Sequence, residues 1–338
     1  MEEGVTDEGG QKSRQGEPNR EADAGELPTD VAAVREALLE WYEAEHRDFP
    51  WRRTDDPYEI LVSEVMSQQT QLGRVIAAWS AFLDRWPTVE ALANADRSAV
   101  VGFWSEHRLG YNNRAKYLHE AARQVTEERN GEFPRDPDGL QELQGVGPYT
   151  ANAVASFAFD NGAAVVDTNV KRVLYRAFSV PDENGAFETG ARDLMPAGES
   201  KAWNNAIMEL GGVACEKTPR CDEAGCPWRP WCDAYASSDF SAPDVSAQSR
   251  FEGSRRQFRG RIVDVLRGQE ALALDELGPK VRVDYMPEGT YGREWLRDLA
   301  EDLAADGLVE LDERDADLDS DSGTDTDAET NATVRLRR

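Results

Sequence analysis

Two carboxylates in this chain have surroundings that would drive them to opposite protonation states. Glu64 falls in the apolar segment ILVSEVM, in the middle of a predicted helix, where a buried glutamate tends to keep its proton. Asp167 precedes Thr168 and Asn169 at the start of another predicted helix, where the helix dipole favours the ionised form. Such a pair could supply a proton donor and a charged carboxylate to one reaction. The alternatives are a solvated helix face for Glu64 and an ordinary helix-start aspartate for Asp167.

A short glycine turn precedes the second carboxylate. Gly145 and Gly147 flank Val146 between two helical patterns, and Pro148 suits the first position of the following helix. Backbone N–H groups that point outward at such a turn can bind an anion such as a phosphate. The alternative is a plain connector between two helices, and the turn by itself does not decide between them.

All four cysteines of the chain lie in one segment, CEKTPRCDEAGCPWRPWC. They are Cys215, Cys221, Cys226 and Cys232. Their concentration indicates a single metal site, and by count alone four thiolates suit either zinc or a [4Fe–4S] cluster. Two disulfides are less favoured because nothing in the sequence marks secretion.

Four segments, SEVMSQQTQ, GVGPYTANAV, VVDTNVKRVL and NAIMELGGVAC, together resemble the MutY-type adenine DNA glycosylases of the helix-hairpin-helix superfamily, over roughly residues 31–235. The resemblance implies an all-α core, made of a six-helix barrel and a lobe that holds a [4Fe–4S] cluster, with the active site in the cleft between them. It also implies a base-excision repair enzyme that acts on double-stranded DNA and removes adenine mispaired with guanine or 8-oxoguanine. Cleavage of a glycosidic bond needs an acid and a second carboxylate, roles that fit Glu64 and Asp167.

The resemblance assigns further positions to the site. Glu64 would protonate adenine at N7, Asp167 would stabilise the sugar cation or its covalent adduct, and Tyr149 and Asn169 would support them by hydrogen bonds. The pocket for the flipped adenine would be formed by Arg47, Trp51, Arg52, Leu72 and Glu209. Contacts with the duplex and the opposite purine would come from Gln69, Thr70, Leu109 and Tyr111, and contacts with phosphates from Gly145, Val146, Gly147, Lys217 and Arg220. Trp51 could equally be a core residue, and the two basic residues could equally be solvated charges.

The sequence differs from that of its relatives at three places. Tyr149 stands where strand-nicking relatives similar to endonuclease III carry a lysine, which implies a monofunctional glycosylase without a Schiff-base nucleophile. A tyrosine at this position also occurs in archaeal thymine-mismatch glycosylases. Asn112 stands where a second tyrosine is usual, in the segment WSEHRLGYNNRA, which also holds two extra residues. The cysteines are separated by five, four and five residues rather than six, two and five. Two alternatives therefore stay open, a thymine glycosylase acting on G·T mismatches and a non-catalytic, cluster-bearing sensor of DNA structure.

The net charge of −27, from 38 basic and 65 acidic residues, has the wrong sign for a protein that binds a polyanion at ordinary salt. Ions at molar concentration screen charges within about 3 Å, so a local basic track could still face DNA. The composition therefore indicates a halophile's cytoplasm, such as a haloarchaeal one. The alternative is an acidic protein that binds no nucleic acid.

Composition and pattern divide the chain into segments. In its core, periodic helical patterns run near Tyr58–Trp86 and Asn113–Arg129. We expect a disordered leader at 1–28, a cluster lobe made of 29–56 plus 161–236, a six-helix barrel at 57–160, a linker at 237–249, a winged-helix-like α+β domain at 250–315 and a disordered acidic tail at 316–338. No signal peptide and no membrane span is recognisable, and one cleft suffices for one flipped base. We therefore expect a cytoplasmic, nucleoid-associated monomer.

The predicted C-terminal domain differs from the oxidised-guanine-sensing domain of bacterial MutY enzymes. Its pattern is helical at Arg255–Arg267 and Arg293–Ala305 and strand-like at Val281–Tyr285 and Leu308–Leu311. The basic residues Arg255, Arg256, Arg259 and Arg261 would either contact DNA or simply lie on a helix that braces the core. We favour bracing, because a basic helix end is often only a solvated face.

Overall fold

The structure is a computed structural model, and it describes residues 28–183, 185–243, 250–312 and 332–338. Within those ranges the chain is mostly helical. The α-helices are α1 Val31–Glu45, α2 Pro57–Ser67, α3 Leu72–Arg85, α4 Val89–Ala93, α5 Arg97–Glu106, α6 Asn113–Arg129, α7 Pro137–Gln141, α8 Pro148–Phe159, α9 Thr168–Phe178, α10 Ala186–Leu194, α11 Ser200–Val213, α12 Asp233–Ser237, α13 Arg255–Leu266, α14 Leu274–Val281 and α15 Arg293–Ala305. Short 3₁₀ turns lie at Pro50–Arg53 and Arg229–Trp231, and the strands are β1 Leu272–Ala273, β2 Val309–Asp312 and β3 Thr333–Leu336.

Helices α2 to α8 surround a first hydrophobic core, with α2 at its centre. Asp56 begins α2 by accepting a hydrogen bond from the N–H of Tyr58 at 2.8 Å, and Pro57 takes the first helical position. Every residue of α2 from Ile60 to Met66 is buried. A helix that is apolar on all sides is a core helix, so the polar side chain of Glu64 is carried into the interior with it.

A second hydrophobic core is formed by α1 together with α9 to α12 and the cysteine loop, residues 215–232. Val34 and Leu38 on α1 are fully buried in it. The indole of Trp228 donates a hydrogen bond to the carbonyl of Val34 at 2.9 Å, and the indole of Trp41 donates to the carbonyl of Ala224 at 3.3 Å. The N-terminal helix is therefore packed against the second half of the chain.

The C-terminal unit, residues 250–312 and 332–338, has the helix–strand–helix–helix–strand–strand order of a winged helix. Its antiparallel sheet has the strand order β1-β3-β2, with Val334 opposite Leu272 on one side and Leu311 on the other. Helix α13 packs against α5, and its apolar residues continue the first core. The unit is therefore joined to the barrel by a shared core and not by the linker alone.

The strand β3 contradicts the predicted disordered tail in part. Thr333–Leu336 is the central strand of the sheet, and Val334 and Leu336 are buried. The segment before this strand is acidic, and the short alternation of apolar and polar residues that follows it was therefore not recognised as a strand. Residues 313–331, most of the linker at 244–249 and the leader at 1–27 lie outside the described residues, so those predictions stay predictions.

Two further expectations about the elements were wrong. The predicted strand Val281–Tyr285 is instead the end of α14 and a following turn, because Leu274, Leu277 and Val281 share the helical spacing of a buried face, whereas Val283 is fully exposed. The apolar pattern over residues 58–86 indicated a continuous helix, but it is broken between α2 and α3, where Gln69 has φ 53°. Among the described helices, none is long and apolar enough to cross a bilayer.

Candidate active site

A cleft of about 1300 Å³ lies between the two cores. Helices α2, α8, α9 and α11 and the turn Pro50–Arg53 contribute to its walls. All of the predicted catalytic and adenine-pocket residues line it, namely Arg47, Trp51, Arg52, Glu64, Leu72, Tyr149, Asp167, Asn169 and Glu209. The structure therefore brings together side chains that are more than 160 positions apart in the sequence.

Glu64 on α2 is buried, and it is hydrogen-bonded to the partly buried Tyr149 on the facing helix α8. Burial is the main reason that the pKa of Glu64 rises to about 7. The hydrogen bond from Tyr149 and the charge of Arg52 lower this pKa, and the charge of Asp167 raises it. Burial and the two nearby carboxylates raise the pKa of Tyr149 well above its usual value, so its phenol keeps its proton. Glu64 can therefore carry a proton near neutral pH.

Asp167 is fixed at the start of α9. It is the N-cap residue, and its carboxylate accepts hydrogen bonds from the N–H of Val170 at 2.7 Å and from the side-chain amide of Asn169 at 2.7 Å. Thr168 and Asn169 are also residue types that cap helices, but Asp167 makes this cap itself. Its electrostatic effect on Glu64 indicates that the two carboxylates face one site.

Asn169 is held by an arginine that the sequence analysis did not single out. Arg172 donates to the side-chain oxygen of Asn169 at 2.8 Å, to the carbonyl of Gly211 at 2.9 Å and to the carbonyl of Cys215 at 2.7 Å. A Cβ at Gly211 would lie 2.7 Å from the Cβ of Asn169, so only glycine lets α11 approach α9 so closely. The spacing of three residues between Asn169 and Arg172 on one helix was the available signal.

Glu209 on α11 is fully buried and binds two arginines. Arg47 donates to it at 2.6 Å, and Arg52 donates at 2.7 Å. Burial acts to raise the pKa of Glu209, but the hydrogen bonds and charges of the two arginines outweigh it and the pKa is lowered. Trp51 stacks on Phe49 with ring centroids 5.1 Å apart. These groups give the cleft a charged wall and an aromatic wall, as a pocket for a flipped base requires.

A loop beside the cleft, residues 108–111, is connected to the cleft wall. Gln69 and Thr70 line the cleft, and the hydroxyl of Thr70 donates to the carbonyl of Leu109 at 3.0 Å. The side chain of Leu109 is 2% exposed and belongs to the first core, so it does not face solvent as a contact with the duplex would require. The ring of Tyr111 is 37% exposed. The structure therefore offers Tyr111, but not Leu109, at the surface of this loop.

The turn between α7 and α8 requires a glycine at position 145. Gly145 has φ 74°, and a Cβ there would lie 2.5 Å from the Cβ of Tyr117. Gly147 is the N-cap of α8 and supplies no side-chain acceptor, so the first N–H groups of the helix remain available to a ligand. The side chain of Val146 is buried in the first core, so this turn can offer an anion only its backbone.

The four cysteines line one small cavity with Arg176, Trp228 and Phe240. Burial is the main reason that the pKa of Cys226 rises to about 12, and the charges of the other three thiols contribute to this rise. A guanidinium nitrogen of Arg176 lies 3.6 Å from the sulfur of Cys215. As the side chains stand, no group of three or more potential ligands among the described residues converges on one point closely enough to hold a single metal ion.

The two basic residues predicted in the cysteine loop have different settings. Lys217 lines the cleft. Arg220 instead forms an ion pair with Glu223 at 3.0 Å on the exposed side of the loop. Both residues were predicted to contact DNA, but of the two only Lys217 lies at the cleft.

Comparisons with known proteins agree with this geometry. Residues 62–193 match the family model of the HhH-GPD superfamily base excision DNA repair protein. The adenine DNA glycosylase of Mycobacterium tuberculosis is 43% identical over 243 residues, which cover 69% of this chain and 78% of that protein. The adenine DNA glycosylase of Mycolicibacterium smegmatis is 39% identical over 289 residues, which cover 81% of this chain and 91% of that protein.

Two solved structures are also similar to this chain. A thermostable thymine-DNA glycosylase is 31% identical with a TM-score of 0.57, covering 62% of this chain and 97% of that one. A trapped covalent intermediate of endonuclease III with DNA is 25% identical with a TM-score of 0.52, covering 63% and 99%. Because the mycobacterial relatives are matched over most of their length, this chain belongs to the adenine DNA glycosylase family, the base-excision repair enzymes that hydrolyse N-glycosyl bonds.

Proposed function

We propose that this enzyme removes adenine mispaired with guanine or 8-oxoguanine in double-stranded DNA, and that it leaves the strand intact. The observation that carries the proposal is that buried Glu64, with its partner Tyr149, lines the same cleft as the fixed carboxylate of Asp167. One group can hold a proton at neutral pH, and the other is positioned by the backbone and by Asn169. Hydrolysis of a glycosidic bond calls for this division of roles.

In this mechanism Glu64 gives its proton to N7 of the flipped adenine. The bond between adenine and the sugar then breaks, its electron pair goes to the base, and positive charge develops on the sugar. Asp167 stabilises that charge directly or through a covalent adduct, and water completes the hydrolysis. Tyr149 hydrogen-bonds to Glu64 and keeps its own proton. Asn169 holds the Asp167 carboxylate in place.

Absence of strand cleavage is proposed because the position after the hairpin is Tyr149 and not an amine nucleophile. Three lysines line the cleft, Lys171, Lys201 and Lys217, and the first two have other partners. Lys201 donates to the carbonyl of Thr54 at 2.7 Å, and the ammonium group of Lys171 lies 5.3 Å from the ring centre of Phe187. None of the three occupies the position directly after the hairpin, which is Tyr149.

Duplex DNA is the proposed partner, held by backbone N–H groups at the start of α8 and by Lys217 at the cleft. One chain supplies every group of the site, so a monomer suffices. The net charge of −27 would oppose this binding at low salt, and we expect the enzyme to require high ionic strength. This dependence would be opposite to that of ordinary DNA-binding proteins.

A [4Fe–4S] cluster is proposed for the cavity lined by Cys215, Cys221, Cys226 and Cys232. The donor set fits, because each of the four irons takes one thiolate and the ligands need not converge on one point as they do around zinc. The buried guanidinium of Arg176 would offset the negative charge of such a cluster. When bound, the group would hold the cysteine loop, with Lys217, against the second core.

The second candidate is removal of thymine from G·T mismatches. It is favoured by the similarity to a solved thymine-DNA glycosylase and by Tyr149. Glu64 argues for adenine, because its proton would serve a basic ring nitrogen that thymine lacks. A sensor without catalysis would not need the perturbed pKa of Glu64.

The test uses protein purified anaerobically in molar potassium chloride. Duplexes carrying A·8-oxoG, A·G, A·C, G·T and A·T pairs are incubated with it and divided into alkali-treated and untreated portions. The proposal expects alkali-dependent cleavage at adenine in the first two duplexes and none without alkali. Cleavage at thymine alone would identify the second candidate, cleavage without alkali would reveal a lyase, and mismatch binding without base loss would identify a sensor. Glu64→Gln should lose adenine excision.

A further inference from the structure

The rim loop, residues 108–111, is held in a strained shape. Arg108, Gly110 and Tyr111 have φ values of 52°, 74° and 48°, a region that L side chains rarely adopt. Such a shape persists only when its surroundings enforce it, and it is typical of sites that contact a ligand. The loop also presents the partly exposed ring of Tyr111.

Side chains from three elements enforce this shape by binding the loop's carbonyl groups. Arg74 on α3 donates to the carbonyl of Arg108 at 2.9 Å, and the indole of Trp104 on α5 donates to that of Gly110 at 2.8 Å. Arg114 on α6 donates to the carbonyls of Leu109 and Gly110 at 2.6 and 3.0 Å. Arg114 also donates to the carbonyl of Val65 at 2.7 Å, directly after Glu64, so the rim is connected to the helix of the proposed acid.

The C-terminal unit contacts the rim loop at the ring of Tyr111. The guanidinium of Arg256 in the first turn of α13 lies over the ring of Tyr111, 5.0 Å from its centre, and donates a hydrogen bond to its hydroxyl. The guanidinium of Arg114 lies 5.5 Å from the same ring centre. Arg256 is also 5.3 Å from the ring centre of Phe251. Tyr111 is therefore held by one arginine from the barrel and one from the C-terminal unit.

The other arginines of α13 are directed into their own unit. Arg255 forms ion pairs with the carboxylates of Asp298 and Asp302, Arg259 pairs with Asp306, and Arg261 donates to a backbone carbonyl. The third helix of the unit, α15, is the one that helix-turn-helix proteins place in a DNA groove. Here it carries four carboxylates and two arginines, and this net negative charge opposes that use. The contact between Arg256 and Tyr111 is thus a direct route by which the unit can act on the rim loop.

We propose that Arg256 is a positioning residue through which the C-terminal unit holds Tyr111 against the duplex and sharpens discrimination between mispaired and paired DNA. The inference rests on the proposed function, which places DNA at this cleft. Arg256 acts through Tyr111 and takes no part in breaking the glycosidic bond. Loss of Arg256 should therefore weaken recognition of the mismatch and leave the excision rate at saturating DNA nearly unchanged.

The test measures dissociation constants of the full-length protein for A·8-oxoG and A·T duplexes by fluorescence anisotropy in molar salt. Arg256→Ala should lower the ratio of the two constants about tenfold, the effect of one hydrogen bond to a charged group. Arg256→Lys, which keeps the charge but not the planar guanidinium, should recover only part of the ratio. The matched control is Arg335→Ala, which removes the same charge and an exposed ion pair with Glu310 elsewhere in the unit.

A second variant keeps the test decisive if Arg256→Ala folds poorly. Tyr111→Phe retains the ring and removes only the hydroxyl that Arg256 binds. The double variant Arg256→Ala, Tyr111→Phe should discriminate no worse than the poorer single variant, because both remove one interaction. The inference would be overturned if the losses of discrimination in the two single variants multiplied in the double variant. It would also be overturned if Arg256→Ala discriminated as well as Arg335→Ala, or if the wild type showed no preference for mispaired DNA. A wild type that prefers mismatches but removes no adenine would refute only the proposed function.

Discussion

Replacement of Glu64 by glutamine should abolish adenine excision and, at alkaline pH, make the protein more stable. Burial raises the pKa of this carboxyl from 4.5 to about 7, so folding above neutral pH must bury a negative charge. Between these two pKa values the folded state binds more protons than the unfolded state, so the free energy of unfolding falls as pH rises. The penalty is complete above pH 7, and glutamine removes it.

The size of the effect follows from the shift. A displacement from 4.5 to about 7 corresponds to about 3 kcal/mol of unfolding free energy well above pH 7, and to about 1 kcal/mol near pH 5.5. The stabilisation by Glu64→Gln should thus grow by about 2 kcal/mol between pH 5.5 and pH 8.5. For a domain of this size that is about 5 °C in melting temperature. Glutamine can still accept the hydrogen bond from Tyr149, so packing should change little.

The assay is thermal unfolding of the wild type and the variant at both pH values and one salt concentration, followed by circular dichroism. Glu127→Gln is the control, because Glu127 is half exposed and pairs with Arg123 one helical turn away. Its effect on melting temperature should not depend on pH in this range. An equal shift for Glu64→Gln at both pH values, or destabilisation at pH 8.5, would refute the assignment of Glu64 as a buried acid.

Three further predictions concern neighbouring features. Tyr149→Phe removes a hydrogen bond that lowers the pKa of Glu64, so the alkaline limb of the single-turnover pH–rate profile should move to higher pH while the maximal rate falls. Gly211→Ala places a methyl group 2.7 Å from the Cβ of Asn169, so urea unfolding should show a loss of about 1–3 kcal/mol and excision should slow. Cys226→Ser should lose bound iron and visible absorption, measured on anaerobically purified protein, and should melt at a lower temperature.

Each of these predictions has an outcome that contradicts it. A limb that moves to lower pH in Tyr149→Phe would mean that the phenol does not hydrogen-bond to the ionised glutamate. Gly73→Ala, in open space on α3, is the control for Gly211→Ala and should be neutral or stabilising by up to about 1 kcal/mol. An equal effect of the two substitutions would argue against the close approach of α9 and α11. Full iron content in Cys226→Ser would remove that cysteine from the ligand set.

Local patterns predicted the helical elements well where apolar spacing is regular. The segments that became α6, α13 and α15 were recognisable because each has one apolar face. The strand Thr333–Leu336 was not, because a four-residue strand is stable only when its neighbours in the sheet pair with it. The turn between α2 and α3 was also missed, since both flanking segments are apolar and helical.

The sequence by itself determined which groups could do the chemistry. A glutamate inside an apolar helix, an aspartate at a helix start, a glycine turn and four clustered cysteines are local features, and their physical consequences follow from their immediate neighbours. The tertiary structure decided which groups meet and which remain exposed. It places Glu64 beside Tyr149 and buries the side chain of Leu109. It also pairs Arg220 with Glu223 and places the guanidinium of Arg256 over the ring of Tyr111. These contacts depend on packing between segments that are distant in the sequence, and a local sequence pattern cannot predict such packing.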